Sequence, residues 1–299
     1  MDKKGVFTYL AFTFGVGYAA QFALLRLGFI VYDEPTIFNT LLFLAVMWIP
    51  AMGALAVTVL CPGEGRMPRL WPVPFAPAVK LMAAVPLVVA LSYAVATLLG
   101  LAAPQWDLSS TMMQLEESLR DTPPNVMAIL PPFLIVTGLL LGVVLGATVF
   151  AAAALGSELG WRGCLLPRLA VRGRAAAHLV TGVLWGLWFM PLVFWRYYDT
   201  GNLSGFPVAA LCGMAVALVL GAFLNEIVLC SRNLGLAALA LGLFVGQREG
   251  IWQYLFPTAE LPWAGVFGVF TMVLLLALVF AVRRLVGGGA PSVQEKPEA

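Results

Sequence analysis

Four ionisable side chains lie inside or at the edge of long apolar runs: Glu158, Arg162, Glu226 and His178, the last being the only histidine of the chain. An ionisable group in a bilayer is costly to bury, so each is a functional candidate before anything else is known. Glu158 and Arg162 are four residues apart, which sets them on one face of a helix and within reach of each other. Two chemistries fit that spacing. One is an internal ion pair that pins the helix to its neighbours; the other is a catalytic carboxylate held by an arginine. Glu226, beside Asn225 near the end of a later run, widens the choice. Facing Glu158 it makes a carboxylate pair of the aspartic-protease type; facing Arg162 it neutralises the guanidinium; at an interface it is a helix-end residue. His178 follows Arg172-Gly173-Arg174-Ala175-Ala176-Ala177 and reads as an interfacial or satisfied polar residue rather than a ligand. Ser157 suggests a nucleophile, but neighbouring helical side chains diverge by about 100°. Glu158 therefore cannot serve it as a positioned base, and a small residue at a helix contact is the expectation.

The elements that position these groups are membrane helices. Of 299 residues, 61% are hydrophobic and 11% charged, against about 25% charged in soluble domains, which excludes a soluble globular protein. Apolar runs predict an all-α, polytopic transmembrane bundle of about eight spans, at 6–29, 39–60, 78–102, 128–154, 176–195, 207–229, 234–247 and 263–285. The seventh is short for a full crossing. Twelve Lys and Arg fall on one side (Lys3, Lys4, Arg66, Arg69, Lys80, Arg168, Arg172, Arg174, Arg232, Arg283, Arg284, Lys296) and four on the other (Arg26, Arg120, Arg196, Arg248). That bias sets both termini in the cytoplasm. The apolar run after Met1-Asp2-Lys3-Lys4 reaches Ile30 without a small-residue cleavage site, so an uncleaved first span is expected. Loop 103–127 is the longest; a surface helix is expected from Ser109 to Arg120, stopped by Pro123-Pro124, and the tail from Gly287 reads as disordered.

Gly138, Gly142 and Gly146 form a small-residue stripe suited to close helix approach. The aromatic residues closing the fifth span, among them Trp195, Tyr197 and Tyr198, suit an interfacial belt. Cys61, Cys164, Cys212 and Cys230 show no metal or redox spacing; Cys61 and Cys230, at predicted cytoplasmic helix ends, admit reversible acylation. No basic tract points to nucleic acid.

Two stretches carry a family resemblance. The first is Gly156-Ser157-Glu158-Leu159-Gly160-Trp161-Arg162-Gly163-Cys164-Leu165-Leu166-Pro167-Arg168-Leu169; the second is Trp185-Gly186-Leu187-Trp188-Phe189-Met190-Pro191. They resemble the Glu-Glu-x-x-x-Arg and Trp-x-x-Trp-His-x-Pro motifs of the CAAX-protease and bacteriocin-processing (CPBP, or Abi) family of intramembrane proteases. Type II CAAX prenyl endopeptidases and lysostaphin-resistance-protein-A-like proteins are similar. The resemblance covers roughly 128–247, so the chain divides into N-terminal helices with their outer loop (1–127), the family core (128–247), and a last span with a polar tail (248–299). Glu158 and Arg162 occupy retained motif positions. Ser157 stands at the first glutamate and Phe189 at the histidine. In a third motif, His-x-x-x-Asn after a short polar turn, Ser231-Arg232-Asn233 supplies the turn and Leu241 and Val245 take the histidine and asparagine positions, a register with no distinctive flanking residue to anchor it.

The resemblance implies peptide cleavage by a water that glutamate and histidine activate. Phenylalanine, leucine and valine can neither accept a proton nor donate a hydrogen bond to an oxyanion. Zinc needs about three His, Cys or carboxylate ligands, so no metal cofactor is expected. The leading expectation is a catalytically degenerate member that binds a transmembrane or lipidated peptide, or a partner membrane protein, within the bilayer. The alternative is an active endopeptidase with a site rebuilt from Glu158 and Glu226. A transporter or channel subunit is a third class, disfavoured because no inverted repeat is visible. The expected location is an integral multi-pass position, by default in a bacterial plasma membrane.

Overall fold

In a bilayer each backbone N–H and C=O must find a partner within the chain, and the apolar runs meet that demand as helices. The computed structural model describes residues 2–28, 37–61, 67–114, 119–120, 123–259 and 263–286. Among them the structure is an all-α polytopic bundle, with one isolated bridge between Arg69 and Asn233 in place of any strand. The helices are α1 (Lys3–Arg26), α2 (Ile37–Val46), α3 (Ile49–Leu60), α4 (Phe75–Leu98), α5 (Ser109–Gln114), α6 (Pro124–Leu145), α7 (Ala151–Glu158), α8 (Leu166–Ala170), α9 (Arg174–Asp199), α10 (Phe206–Ser231), α11 (Leu234–Arg248), α12 (Trp252–Leu255) and α13 (Val269–Val286). Seven helical stretches among the described residues are long and apolar enough to cross a membrane.

The second expected span, 39–60, is not one helix. It splits into α2 and α3 at Met47-Trp48. Pro50 favours the break, because it lacks the N–H that would bond back to the preceding turn and it stands in the first turn of α3, where that N–H is not needed. The fourth expected span is longer than its hydropathy suggests. Helix runs without a break from Pro124 to Ala170, 47 residues, through α6, a π segment at Gly146–Phe150, α7, a second π segment at Leu159–Leu165, and α8. Pro123 and Pro124, expected to stop a surface helix, form the cap and first residue of this one. The surface helix itself is α5; residues 115–118 of the expected stretch and the 287–299 tail lie outside the described residues.

The seventh stretch, Leu234–Leu255, is the centre of the bundle: 72% of its apolar window is buried, against 11% for the 124–170 helix. A helix ringed by protein need not match the bilayer thickness, which is why α11 stops after 15 residues. The glycine stripe sets how closely its neighbour approaches. Gly138 faces Ile251, Gly142 faces the Gly246 carbonyl, and Gly146 faces Gly242 and Leu243. A Cβ on Gly242 would collide with the Ala151 backbone and the Gly146 carbonyl, and one on Gly246 with the Gly142 carbonyl.

Contacts at the two ends sort the charges as the span order requires. At the basic end Arg168 Nε donates to Asp2 at 3.1 Å and Lys80 Nζ to the Arg284 carbonyl at 3.4 Å. There, too, Arg69 N–H donates to the Arg232 carbonyl at 2.9 Å. At the opposite end the Arg26 guanidinium lies 6.0 Å from the Trp195 ring centre, and Gln105 N–H donates to the Leu255 carbonyl at 2.8 Å.

Two outcomes are expected from this packing. Gly246→Val should destabilise the detergent-solubilised protein by about 1–3 kcal/mol through overpacking, seen as a lower thermal unfolding midpoint, while the exposed Val149→Leu should leave the midpoint unmoved. Asp2 caps α1, accepting from Gly5 N–H at 2.6 Å; that bond, and then Arg168, hold its carboxyl below the ordinary value. Its contribution is complete above the ordinary carboxylate pKa and is lost as pH falls through the lowered one. Asp2→Ala should therefore cost about 1 kcal/mol at neutral pH, and the difference from wild type should shrink in an acid series of melts.

Candidate functional site

The Glu158 segment is held by close contacts, two of which a Cβ would obstruct, at Gly156 and Gly160. Gly156 lies against Trp48, Gly160 against Pro50 and Gly163 against Leu234 and Met67. The broken second span thus presses its break on the motif. Trp161 is fully buried, with ring edges toward Tyr9 at 5.6 Å, Phe14 at 6.4 Å and Trp188 at 6.4 Å. The Trp185…Trp188…Pro191 frame lies on α9, which α1 clamps. Trp188 Nε1 donates to the Thr13 carbonyl at 3.2 Å, and Gln21 Nε2 to the Trp188 carbonyl at 3.1 Å.

Inside this frame Arg162 Nη1 donates to Glu158 Oε1 at 2.9 Å, and neither side chain has any exposure. The pair anticipated from the i,i+4 spacing is formed at the start of the second π segment, a distortion often found at functional positions. The guanidinium carbon also lies 4.4 Å from the Trp185 ring centre, a desolvated cation–π contact. Arg162 Nε donates to Asn225 Oδ1 at 3.0 Å. Gly182 lets α9 and α10 come close beside it, since a Cβ there would lie 2.9 Å from Leu218 Cα.

From Asn225 the polar contacts continue to the surface. Its Nδ2 lies 3.3 Å from His178 Nδ1, His178 Nε2 lies 2.9 Å from Glu226 Oε1, and Arg174 Nη1 donates to Glu226 Oε2 at 3.0 Å. Cys230 Sγ is 3.5 Å from the same oxygen. Glu226 therefore shares no hydrogen bond with Glu158 and does not neutralise Arg162. Asn225 and His178 stand in the path, and the two carboxylates serve different cations. His178 belongs to this chain of contacts. Asn225 is its hinge, a residue that sequence reading noted only as a neighbour of Glu226; a buried amide within an apolar helix was the signal.

The substituted positions supply no polar atom. Phe189 is half-buried, edge-on to Trp185 at 5.9 Å and Trp188 at 4.9 Å. Leu241 is buried on α11, and Val245 is half-buried on the same helix. Ser157 is buried, and its Oγ, Glu158 Oε2 and Arg162 Nη2 have no hydrogen-bond partner among the described residues. For a zinc ion this set does not fit: it offers one carboxylate, already engaged by Arg162. Among the described residues no three His, Cys, Asp or Glu side chains converge.

The family described as type II CAAX prenyl endopeptidase Rce1-like matches residues 137–246. This segment is similar to an Rce1-like domain. No curated protein and no solved structure matches the chain. The Rce1-like segment contains every member of the polar chain from Glu158 to Arg174, together with the glycine stripe and α11 up to Gly246. The clamping residues Thr13 and Gln21, and the Trp48–Pro50 break, come from helices before it.

Breaking a buried pair by removing one partner leaves an uncompensated charge. Arg162→Leu should cost about 3–5 kcal/mol, and the double change Glu158→Leu with Arg162→Leu should recover much of that loss. Thermal melts of the three proteins in one detergent check both statements.

Proposed function

We propose that this multi-pass, CAAX-protease-like membrane protein is a pseudo-protease, which binds a transmembrane or lipidated peptide, or a partner membrane protein, without cleaving it. The observation that carries the reading is the state of Glu158. Its carboxylate is sealed from solvent and engaged by Arg162, and the positions where relatives carry a second glutamate, a histidine and a further histidine–asparagine pair hold Ser157, Phe189, Leu241 and Val245. Peptide hydrolysis needs a base against a water and donors for the oxyanion. The one histidine is spent on Asn225 and Glu226. The rebuilt Glu158–Glu226 site lacks support for the same reason: both oxygens of Glu226 bind His178 and Arg174. Metal-assisted chemistry forms no part of this proposal, because the donor set does not fit zinc.

A charged pair and an aromatic frame remain useful without catalysis. They hold α7, α9 and α10 at fixed spacing in lipid, where apolar burial alone gives helices little reason to associate. The lipid-facing surfaces of such a frame are then a rigid platform for another apolar segment.

The experiment is a cleavage assay in proteoliposomes with a prenylated C-terminal CAAX peptide and, separately, an apolar transmembrane peptide. Product release should equal that of Glu158→Gln for both. Release that depends on Glu158 overturns the reading.

A further inference from the structure

The hydrogen-bond chain from Glu158 to Arg174 has a property that follows from donor and acceptor chemistry alone. Arg162 Nε can only donate, and it lies 3.0 Å from the Asn225 amide. The Asn225 atom facing it must therefore be Oδ1, whatever the electron count of the two amide ends. This directs Nδ2, a pure donor, at His178 Nδ1, 3.3 Å away. Nδ1 must then accept, so it carries no proton, and the imidazole proton sits on Nε2. There it donates to Glu226 Oε1 at 2.9 Å. Neutral His178 in the Nε2–H form satisfies each contact.

We propose that His178 and Asn225 form a proton-operated latch on Arg162. Protonation moves one proton from water at the basic end of the bundle to His178 Nδ1, which makes both ring nitrogens donors. Nδ1–H then faces the Asn225 Nδ2 donor. Rotating the amide by 180° brings Oδ1 to His178 and sets Nδ2 against Arg162 Nε, donor against donor. The amide satisfies one neighbour or the other, never both. Imidazolium at position 178 therefore releases Arg162 Nε, leaving the buried guanidinium held by Glu158 and the Trp185 ring. The site is reachable for a proton: the His178 side chain is 19% exposed, and Arg174 beyond it is 48% exposed.

The groups facing His178 are few. From α10 come Glu226 and, on the far side of Glu226, Cys230. Its own helix brings Arg174 against Glu226, and the second π segment brings Arg162 through Asn225. On α13, Arg283 lies against Cys230; on α8, Arg168 is engaged with Asp2. Glu226 holds either protonation state of the ring, accepting from Nε2–H in both, so the change is confined to the Nδ1 side. This inference goes beyond the pseudo-protease reading and holds whether or not the chain cleaves peptides.

One histidine in 299 residues makes the test unambiguous. The full chain in nanodiscs, labelled with 15N-histidine and 15N-arginine, is followed by NMR across a pH series. The expected result is a neutral His178 bearing its proton on Nε2, and an Arg162 Nε–H signal that shifts with the same midpoint as His178. In Asn225→Ala the histidine titrates and the Arg162 signal stays still. In Asn225→Asp, whose carboxylate accepts from Arg162 in either state of the ring, Arg162 also stays still. A neutral ring protonated on Nδ1 in the wild-type protein overturns the proposal without need of any variant. So does an Arg162 signal that ignores His178 in wild type, or one that follows it equally in Asn225→Ala, which would make the coupling a through-space field effect.

Discussion

A guanidinium with no exposure to water must obtain its solvation from protein, and the middle of this molecule is arranged around that need. Arg162 receives a carboxylate from its own helix, an amide oxygen from α10 and an aromatic face from α9. Each partner comes from a different direction, so the charge ties three helices that lipid would not drive together. The glycines around it follow from the same need. Gly182 lets α9 and α10 close beside the guanidinium, and Gly156 and Gly160 let the start of α3 seal the other side. Losing any one of these contacts does not simply subtract a bond; it exposes a buried charge to a medium that cannot solvate it.

This dependence bears on which residues of the matched segment can change without loss of the fold. Phe189 packs edge-on to Trp185 and Trp188, and Leu241 is buried on α11, so apolar side chains fit these positions. Glu158 and Arg162 cannot be replaced so cheaply one at a time, since either alone leaves an unpaired ion. Retention of that pair is thus expected on structural grounds and says nothing in favour of catalysis. Trp161, Trp185 and Trp188 are likewise bound into the frame by ring contacts, and Trp188 also by hydrogen bonds of its Nε1–H and its carbonyl to α1.

Much of this was legible from residues close in sequence. The Glu158–Arg162 pair follows from four-residue spacing, the all-helical membrane fold from apolar runs, and the role of Gly138, Gly142 and Gly146 from their period. What escaped depends on relations between helices. The partners of Glu226 are set by how α9 and α10 cross and by two π segments that change the phase of the motif helix, and no local pattern reports that. Asn225 carries no direction in its sequence context; only its place between Arg162 and His178 makes it a link. The length of the 124–170 helix was hidden because hydropathy falls at Ser157–Arg162, while burial in protein takes over there from lipid. The short seventh stretch misled for the opposite reason, being shielded from lipid by its neighbours.

The continuous helix from Pro124 to Ala170 has a consequence for the membrane itself. At 1.5 Å per residue it extends about 70 Å, more than twice a hydrocarbon core of about 30 Å. Its first half is studded with exposed apolar side chains, among them Ile129, Phe133, Val136 and Leu140. Pro131, Pro132 and the two π segments are points where it can bend, but an upright path would still push apolar surface out of a flat bilayer. It must lean, or the lipids beside it must stretch their chains to cover it, each at a cost that grows with every ångström of mismatch.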